Sequence, residues 1–255
     1  MTSRELRAKL KAGQPVFGTW NHIPNLQVVE VIGAAGLDFI VFDLEHGPHS
    51  FSDMPALYCA AEASGLVPVT RVPGTESSAI LRTLDSGAKG VMVPHVENLQ
   101  RARDCLDSMV YGTSARNRGV ATLTRSSRFN TRGEQALLGS QNEQILSVLM
   151  IEETGGLADL DAICALPGLD VVFVGIYDLS QSLGLRGGFD HPEFERVFAD
   201  AVERIKAAGI AVGCYAADAA AAKRLLGRGI TFITLCVDGA VLRRSYESML
   251  EGVRS

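Results

Sequence analysis

Eight short and almost wholly apolar runs, separated by stretches of helical spacing, constrain this chain more than any other feature. They occupy residues 16–19, 39–42, 67–70, 90–93, 146–151, 171–174, 210–213 and 232–235. A strand that is continuously apolar, without alternation, is covered on both faces, as in a parallel sheet flanked by helices. The intervening stretches 28–35, 52–64, 78–86, 99–109, 157–165, 192–208 and 217–226 place apolar residues at helical intervals. Gly36, Gly65, Gly87, Gly168, Gly209 and Gly229 each fall just before a run. Glycine past a helix end supplies the left-handed cap that turns the chain back toward the sheet. This repeated beat predicts a TIM (β/α)8 barrel filling one domain over residues 1–255, with a last amphipathic helix over 239–253.

Composition narrows the function classes. Charged residues make up 21% of the chain and the net charge is −5, which disfavours nucleic-acid binding. The first ten residues are charged and lack the apolar run of a signal peptide, and no stretch approaches a membrane span. Five scattered cysteines with no Cys-x-x-Cys pair exclude a zinc or disulfide framework and suit a reducing compartment, by default the cytoplasm.

Active sites in this architecture lie at the carboxyl ends of the strands. The residues after each run are Asp43-Leu44-Glu45-His46-Gly47-Pro48-His49, Arg71, Pro94-His95, Glu152-Glu153 and Gly175-Ile176-Tyr177-Asp178. Ionisable groups collect at one rim and are nearly absent inside the strands. Glu152 and Asp178 follow neighbouring strands, and two converging carboxylates repel each other unless a cation lies between them. Oxygen ligands with room for water suit a hard ion such as Mg²⁺ or Mn²⁺. The alternative for either is a helix cap or a lysine pair.

Arg71 can hold a carboxylate or a developing enolate, or form a structural ion pair with Asp43 or Glu45. His46 is a candidate base. Asp85, at the end of a helix, either is solvated or turns inward to orient a histidine. Trp20 is a packing or substrate-facing aromatic. His22, His49 and His95 are secondary candidates, and His191 reads as a surface residue. Arg116, Arg118, Arg125, Arg128 and Arg132 fill an irregular polar segment, 111–140, read first as subunit contact or solvated surface and second as recognition of an anionic substrate tail. No run carries an interior lysine, and Lys89 lies at the amino end of the fourth, so Schiff-base chemistry is set aside in favour of a metal.

The ordered set Phe42-Asp43-Leu44-Glu45-His46-Gly47-Pro48, Arg71-Val72-Pro73, Leu84-Asp85-Ser86-Gly87-Ala88, Val93-Pro94-His95-Val96-Glu97, Ile151-Glu152-Glu153 and Val174-Gly175-Ile176-Tyr177-Asp178-Leu179-Ser180 resembles the HpcH/HpaI family of metal-dependent pyruvate aldolases. The resemblance implies a barrel of the phosphoenolpyruvate/pyruvate superfamily, a C-terminal helix swapped between subunits, and a homo-oligomer built as a trimer of dimers. It implies Glu152 and Asp178 as ligands of Mg²⁺, Mn²⁺ or Co²⁺, and Arg71 on the pyruvyl oxygen. His46, oriented by Asp85 and supported by Asp43, would handle the proton. Backbone N–H groups around Tyr177 and Asp178 would receive the carboxylate. The implied substrates are a small 2-oxo acid and an aldehyde. Met150 stands where relatives often have Gln, and Ile176-Tyr177 replaces a Pro-containing turn. Two rivals remain: a superfamily lyase acting on an acyl-CoA thioester or a phosphonate, and a non-catalytic barrel that binds a 2-oxo acid.

Overall fold

Eight parallel strands close on themselves in chain order, each hydrogen-bonded to the next and β8 to β1, in the computed structural model, which describes residues 1–131 and 141–255. The strands are β1 (Val16–Asn21), β2 (Phe39–Asp43), β3 (Val67–Arg71), β4 (Gly90–Val93), β5 (Leu146–Ile151), β6 (Val171–Val174), β7 (Ala211–Ala216) and β8 (Phe232–Val237). The helices are α1 (Ser3–Lys11), α2 (Leu26–Ala34), α3 (Met54–Ala63), α4 (Ser77–Ser86), α5 (Leu99–Met109), α6 (Thr154–Ala158), α7 (Leu160–Cys164), α8 (Ile176–Ser182), α9 (Pro192–Ala207), α10 (Ala219–Gly227) and α11 (Asp238–Arg254).

Each predicted strand is present, and β1, β7 and β8 run two to three residues further than their apolar runs. The six crossover glycines all have positive φ, between 75° and 110°. The predicted helix 157–165 is instead two short helices. Asp159 sits between them with φ −93° and ψ 6°, and its carboxylate accepts the N–H of Leu99 at 2.8 Å, which draws the backbone out of helical geometry. Among the described residues no helix is long and apolar enough to cross a membrane.

The period-two alternation of a strand assigns the two sides of the barrel wall. Ile40, Phe42, Val91, Val93, Leu149, Ile151, Val172 and Val174 point outward into the layer under the helices. Phe39, Val41, Val69, Met92, Val148, Met150 and Phe173 point inward and fill the barrel. The interior is tight. Phe39 and Phe232 stack with ring centroids 4.1 Å apart. They do so only because β1 has a glycine opposite: a Cβ on Gly18 would come within 2.3 Å of the Phe39 ring. Helix α1, capped by a reciprocal Thr2–Glu5 box, lays Leu6 and Leu10 against this interior cluster and covers its amino end.

The inward positions continue past this core to the carboxyl rim. Two residues after Val41, Val69 and Met150 come Asp43, Arg71 and Glu152. The same alternation that packs the barrel therefore aims these three side chains at its mouth.

Candidate active site

A cavity of about 450 Å³ opens at the carboxyl rim, lined by Trp20, His46, Arg71, Glu152, Tyr177 and Asp178 among others. Met150 and Phe173 contribute to the lining from below, both at most 3% exposed. Met150 occupies the inward position two residues before Glu152, so a thioether without hydrogen-bond donors stands beside that carboxylate.

Asp43 organises one side. It is fully buried, and the Arg71 guanidinium grips it through Nε to Oδ1 at 2.8 Å and Nη2 to Oδ2 at 2.6 Å. His22 Nε2 lies 2.8 Å from Oδ2, and the N–H groups of Glu45 and His46 donate to Oδ1. Burial works against the charged carboxylate, but the hydrogen bonds from His22 and Arg71 and the charge of Arg71 outweigh it and hold the pKa far below the ordinary range. The Arg71 Nη1 pairs with Glu45 at 2.8 Å, and its planar group lies 4.5 Å above the Trp20 ring. Trp20 is itself fixed by donating to Thr234 Oγ1 at 2.9 Å. The structural pairing foreseen for Arg71 is therefore real, yet the side chain still lines the cavity. Two of its N–H groups are spent in hydrogen bonds to Asp43, which leaves donors for a ligand.

Glu152 is the opposite case. It is 2% exposed, and among the described residues no Lys or Arg pairs with it; its one ionic neighbour is the His95 ring, 3.5 Å from Oε1. Oε1 accepts the backbone N–H of His95 at 2.8 Å. Burial is the main reason its pKa is pushed up to about 7. The His95 N–H and ring charge pull it down, and the charges of Asp178 and Glu45 push it further up. Oε2 faces Gly175, where an added Cβ would come within 2.4 Å of it. A buried carboxylate that shares its cavity with a second carboxylate is a donor set that fits a cation. Among the described residues no group of three or more His, Cys, Asp or Glu side chains forms a complete ligand cage. An ion bound by Glu152 and Asp178 would complete its shell with water and substrate oxygens, the habit of Mg²⁺.

His95 links the two sides. Its ring nitrogens lie 2.9 Å from Glu45 and 3.1 Å from Glu153. Burial disfavours its charge, but Glu152, Glu153 and Glu45 outweigh that and hold its pKa above the ordinary imidazole value. Its φ of 54° lets the backbone N–H point at Glu152 while the ring reaches outward. Tyr177, at the start of α8, meets Phe189 edge-on at 5.1 Å and Tyr215 at 5.9 Å, forming an aromatic wall at the mouth. His46 is exposed beside the cavity, and its ring makes no hydrogen bond among the described residues. His49 is buried against the Asn21 carbonyl at 2.8 Å, behind the site. His191 caps α9.

Asp85 lies away from the cavity of its own chain. A helix that follows a strand runs back toward the amino rim, so the last turn of α4 lies at the end of the barrel opposite His46. There the Asp85 carboxylate pairs with Arg118 at 2.5 Å. Within one chain it does not meet His46. The described part of segment 111–140 packs at the same end and along α4 and α5. Arg116 pairs with Asp104, Arg125 with Glu62, and Arg118 stacks on Tyr111 at 4.6 Å. These arginines do not face the cavity of their own chain. Arg132 lies outside the described residues.

Tyr215 and Val237 line the cavity although neither is a sequence candidate. Both belong to the ends of β7 and β8 beyond the apolar runs, and Tyr215 sits two residues after Gly213. The alternation that aims Asp43 and Arg71 inward was the available signal.

Comparison with known proteins agrees with this fold. The model of the HpcH/HpaI aldolase/citrate lyase family matches residues 17–245. A hydroxypyruvate/pyruvate aldolase of Paraburkholderia phytofirmans is 34% identical over 98% of this chain and 97% of its own length. A 2-dehydro-3,6-dideoxy-6-sulfogluconate aldolase of Pseudomonas putida is 32% identical over 96% of this chain and 95% of its own. A crystal structure of a family protein from Burkholderia cenocepacia superposes with a TM-score of 0.94 at 32% identity, covering 99% of this chain and 100% of that one.

Proposed function

The chain belongs to the HpcH/HpaI aldolase/citrate lyase family, and from that premise we propose that it splits a 4-hydroxy-2-oxo acid into pyruvate and an aldehyde, and runs the reverse addition. The observation that carries this reading is the buried carboxylate of Glu152, which has no Lys or Arg partner among the described residues and shares a cavity with Asp178 and the Arg71 guanidinium.

Glu152 and Asp178 are the residues to hold a divalent cation, Mg²⁺ or Mn²⁺ by the hardness of their oxygens, with Co²⁺ as a substitute. Bound there, the ion supplies Lewis acidity to the oxygens of the 2-oxo acid. Arg71 offers its remaining N–H groups to the oxygen on which enolate charge develops, and Asp43 keeps that fork from turning away. The first-turn N–H groups of α8, at Tyr177 and Asp178, receive the substrate carboxylate. Trp20 and Phe173 bound the seat of the three-carbon unit.

His46 is the base. One ring nitrogen takes the proton from the C4 hydroxyl as the C3–C4 bond breaks, the aldehyde forms, and the electron pair passes into the enolate. C3 is then protonated to give pyruvate. Asp85 can orient a His46 only in an assembly that brings the amino rim of one subunit to the carboxyl rim of another. The proposed trimer of dimers has that requirement. Its swapped C-terminal helix would cover the apolar side chains that α11 leaves exposed, among them Leu242, Tyr246, Met249 and Val253.

The test is pyruvate release from a panel of hydroxy-oxo acids, with acyl-CoA thioesters included, after chelator treatment and again with Mg²⁺ or Mn²⁺ restored. Activity that appears only with the cation and is lost in Glu152→Ala and Asp178→Ala supports the reading. Full activity of those variants after exhaustive chelation refutes it.

A further inference from the structure

The mouth of the cavity holds a second histidine, which the reaction above does not use. β1 pairs Trp20 with Val41 and Asn21 with Phe42, so the next residue, His22, comes beside Asp43; β2 in turn pairs Asp43 with Arg71 on β3. His22 follows Trp20 by two residues and continues the inward row of β1. Three neighbouring strand ends thus deliver His22, Asp43 and Arg71 side by side, and their side chains join in series. His22 Nε2 lies 2.8 Å from Asp43 Oδ2, and the guanidinium holds both oxygens of the same carboxylate. The His22 ring lines the same cavity as His46, and its side chain is 33% exposed, enough to meet a ligand.

The pair has a defined polarity. Asp43 is held ionised, and an ionised carboxylate only accepts hydrogen bonds, so the hydrogen between the two sits on Nε2. Nδ1 is the open nitrogen and makes no hydrogen bond among the described residues. The backbone beneath the ring is fixed as well. The N–H groups of His22 and Ile23 each donate to the Asp238 carboxylate at 3.1 Å, and the Asn21 amide donates to it at 2.7 Å. From the other side His49 Nε2 meets the Asn21 carbonyl at 2.8 Å. A ring oriented by a carboxylate at one nitrogen and open at the other is the arrangement of a proton-transfer group. His46 has no such partner among the described residues of its own chain.

We propose that His22 delivers the proton to C3 of the enolate when pyruvate is formed, and removes it when pyruvate is activated for addition. The inference rests on the aldolase reading and supplies the proton transfer that His46 does not perform. With the enolate oxygen on Arg71, C3 lies two bonds away on the same wall, next to Trp20. In the cleavage direction the C2–C3 π pair takes the Nδ1 proton, a C3–H bond forms, the charge on oxygen returns to the C2 carbonyl and the ring is left neutral. The proton that His46 gained from the C4 hydroxyl balances the one His22 gave up, and exchange with water resets both rings. Asp43 stays charged throughout and keeps the His22 ring turned.

One measurement needs neither metal nor turnover. Nitrogen NMR of the metal-free protein above neutral pH should show His22 as the Nε2–H tautomer; a hydrogen on Nδ1 in its place overturns the assignment. The second measurement is exchange of the pyruvate methyl protons in D2O with Mg²⁺ present. His22→Gln keeps a donor for Asp43 but transfers no proton, and should slow exchange by about hundredfold or more. Added imidazole should restore exchange in His22→Ala, a rescue that a residue serving only to clamp Asp43 would not show. Exchange in His22→Gln within a factor of about three of the parent, or a loss in His22→Ala that imidazole leaves untouched, overturns the role of His22. The aldolase reading then stands as long as the parent releases pyruvate from a hydroxy-oxo acid. A parent that neither exchanges the methyl protons nor releases pyruvate overturns both.

Discussion

Replacing Glu152 with glutamine should make the metal-free protein more stable at pH 8, although it removes the proposed ligand. The side chain is 2% exposed, and its pKa moves from 4.5 to about 7. A group whose pKa rises on folding contributes stability that is complete below the unfolded value and is lost as pH climbs through the folded one. At ~1.4 kcal/mol per pH unit, the interval from 4.5 to about 7 corresponds to about 3 kcal/mol. The wild type therefore forfeits that amount above pH 7, whereas an amide, which never ionises, keeps it. Glutamine can still accept the His95 N–H that Oε1 accepts now. Denaturant unfolding of chelator-treated proteins, followed by circular dichroism, should give nearly coincident midpoints at pH 4.5 and a gap in favour of Glu152→Gln at pH 8. Saturating Mg²⁺ should reverse the order, because only the wild type gains from binding the ion. Equal midpoints at pH 8, or an equal response of both proteins to Mg²⁺, would refute the claim that Glu152 is a buried carboxylate awaiting a cation.

Arg71→Ala should destabilise the fold by about 3–5 kcal/mol, measured as a loss of thermal stability, because it strands the fully buried Asp43 carboxylate. Arg71→Lys should fold better yet lose at least about tenfold in turnover, since an ammonium cannot span both Asp43 oxygens. Gly175→Ala keeps an ordinary backbone, with φ −80°, but its methyl would press within 2.4 Å of Glu152 Oε2; calorimetry should show Mg²⁺ affinity lowered by about tenfold or more. Asp238→Ala should cost about 1–3 kcal/mol in thermal unfolding, because that carboxylate accepts the Asn21 side-chain amide and the N–H groups of His22 and Ile23 and so ties β1 to α11.

The barrel is legible because burial on both faces writes itself into consecutive apolar residues, and strand cores such as 67–70 and 171–174 need nothing else. Strand ends are less so. Trp20-Asn21 and Cys214-Tyr215-Ala216 continue β1 and β7 with mixed chemistry, which is why Tyr215 escapes a reading based on hydrophobicity. The rim carboxylates, His46 and Arg71 stand out because charge breaks an apolar run. Asp85 illustrates the opposite difficulty. Its motif marks it as notable, but spacing along a chain carries no rim assignment; only the direction of α4 places it beside Arg118. The Asp159 break between α6 and α7 depends on a hydrogen bond to Leu99, about sixty residues away in sequence, and no local pattern encodes it.

The filled barrel has a kinetic corollary. With Phe39, Phe232 and the other inward side chains packing the interior, and Leu6 and Leu10 sealing its amino end, a ligand reaches the cavity only from the carboxyl rim. Whatever sits deepest, against Met150 and Phe173, must arrive before its co-substrate and depart after it. Steady-state patterns should accordingly be those of a compulsory sequence, with the three-carbon acid first in and last out.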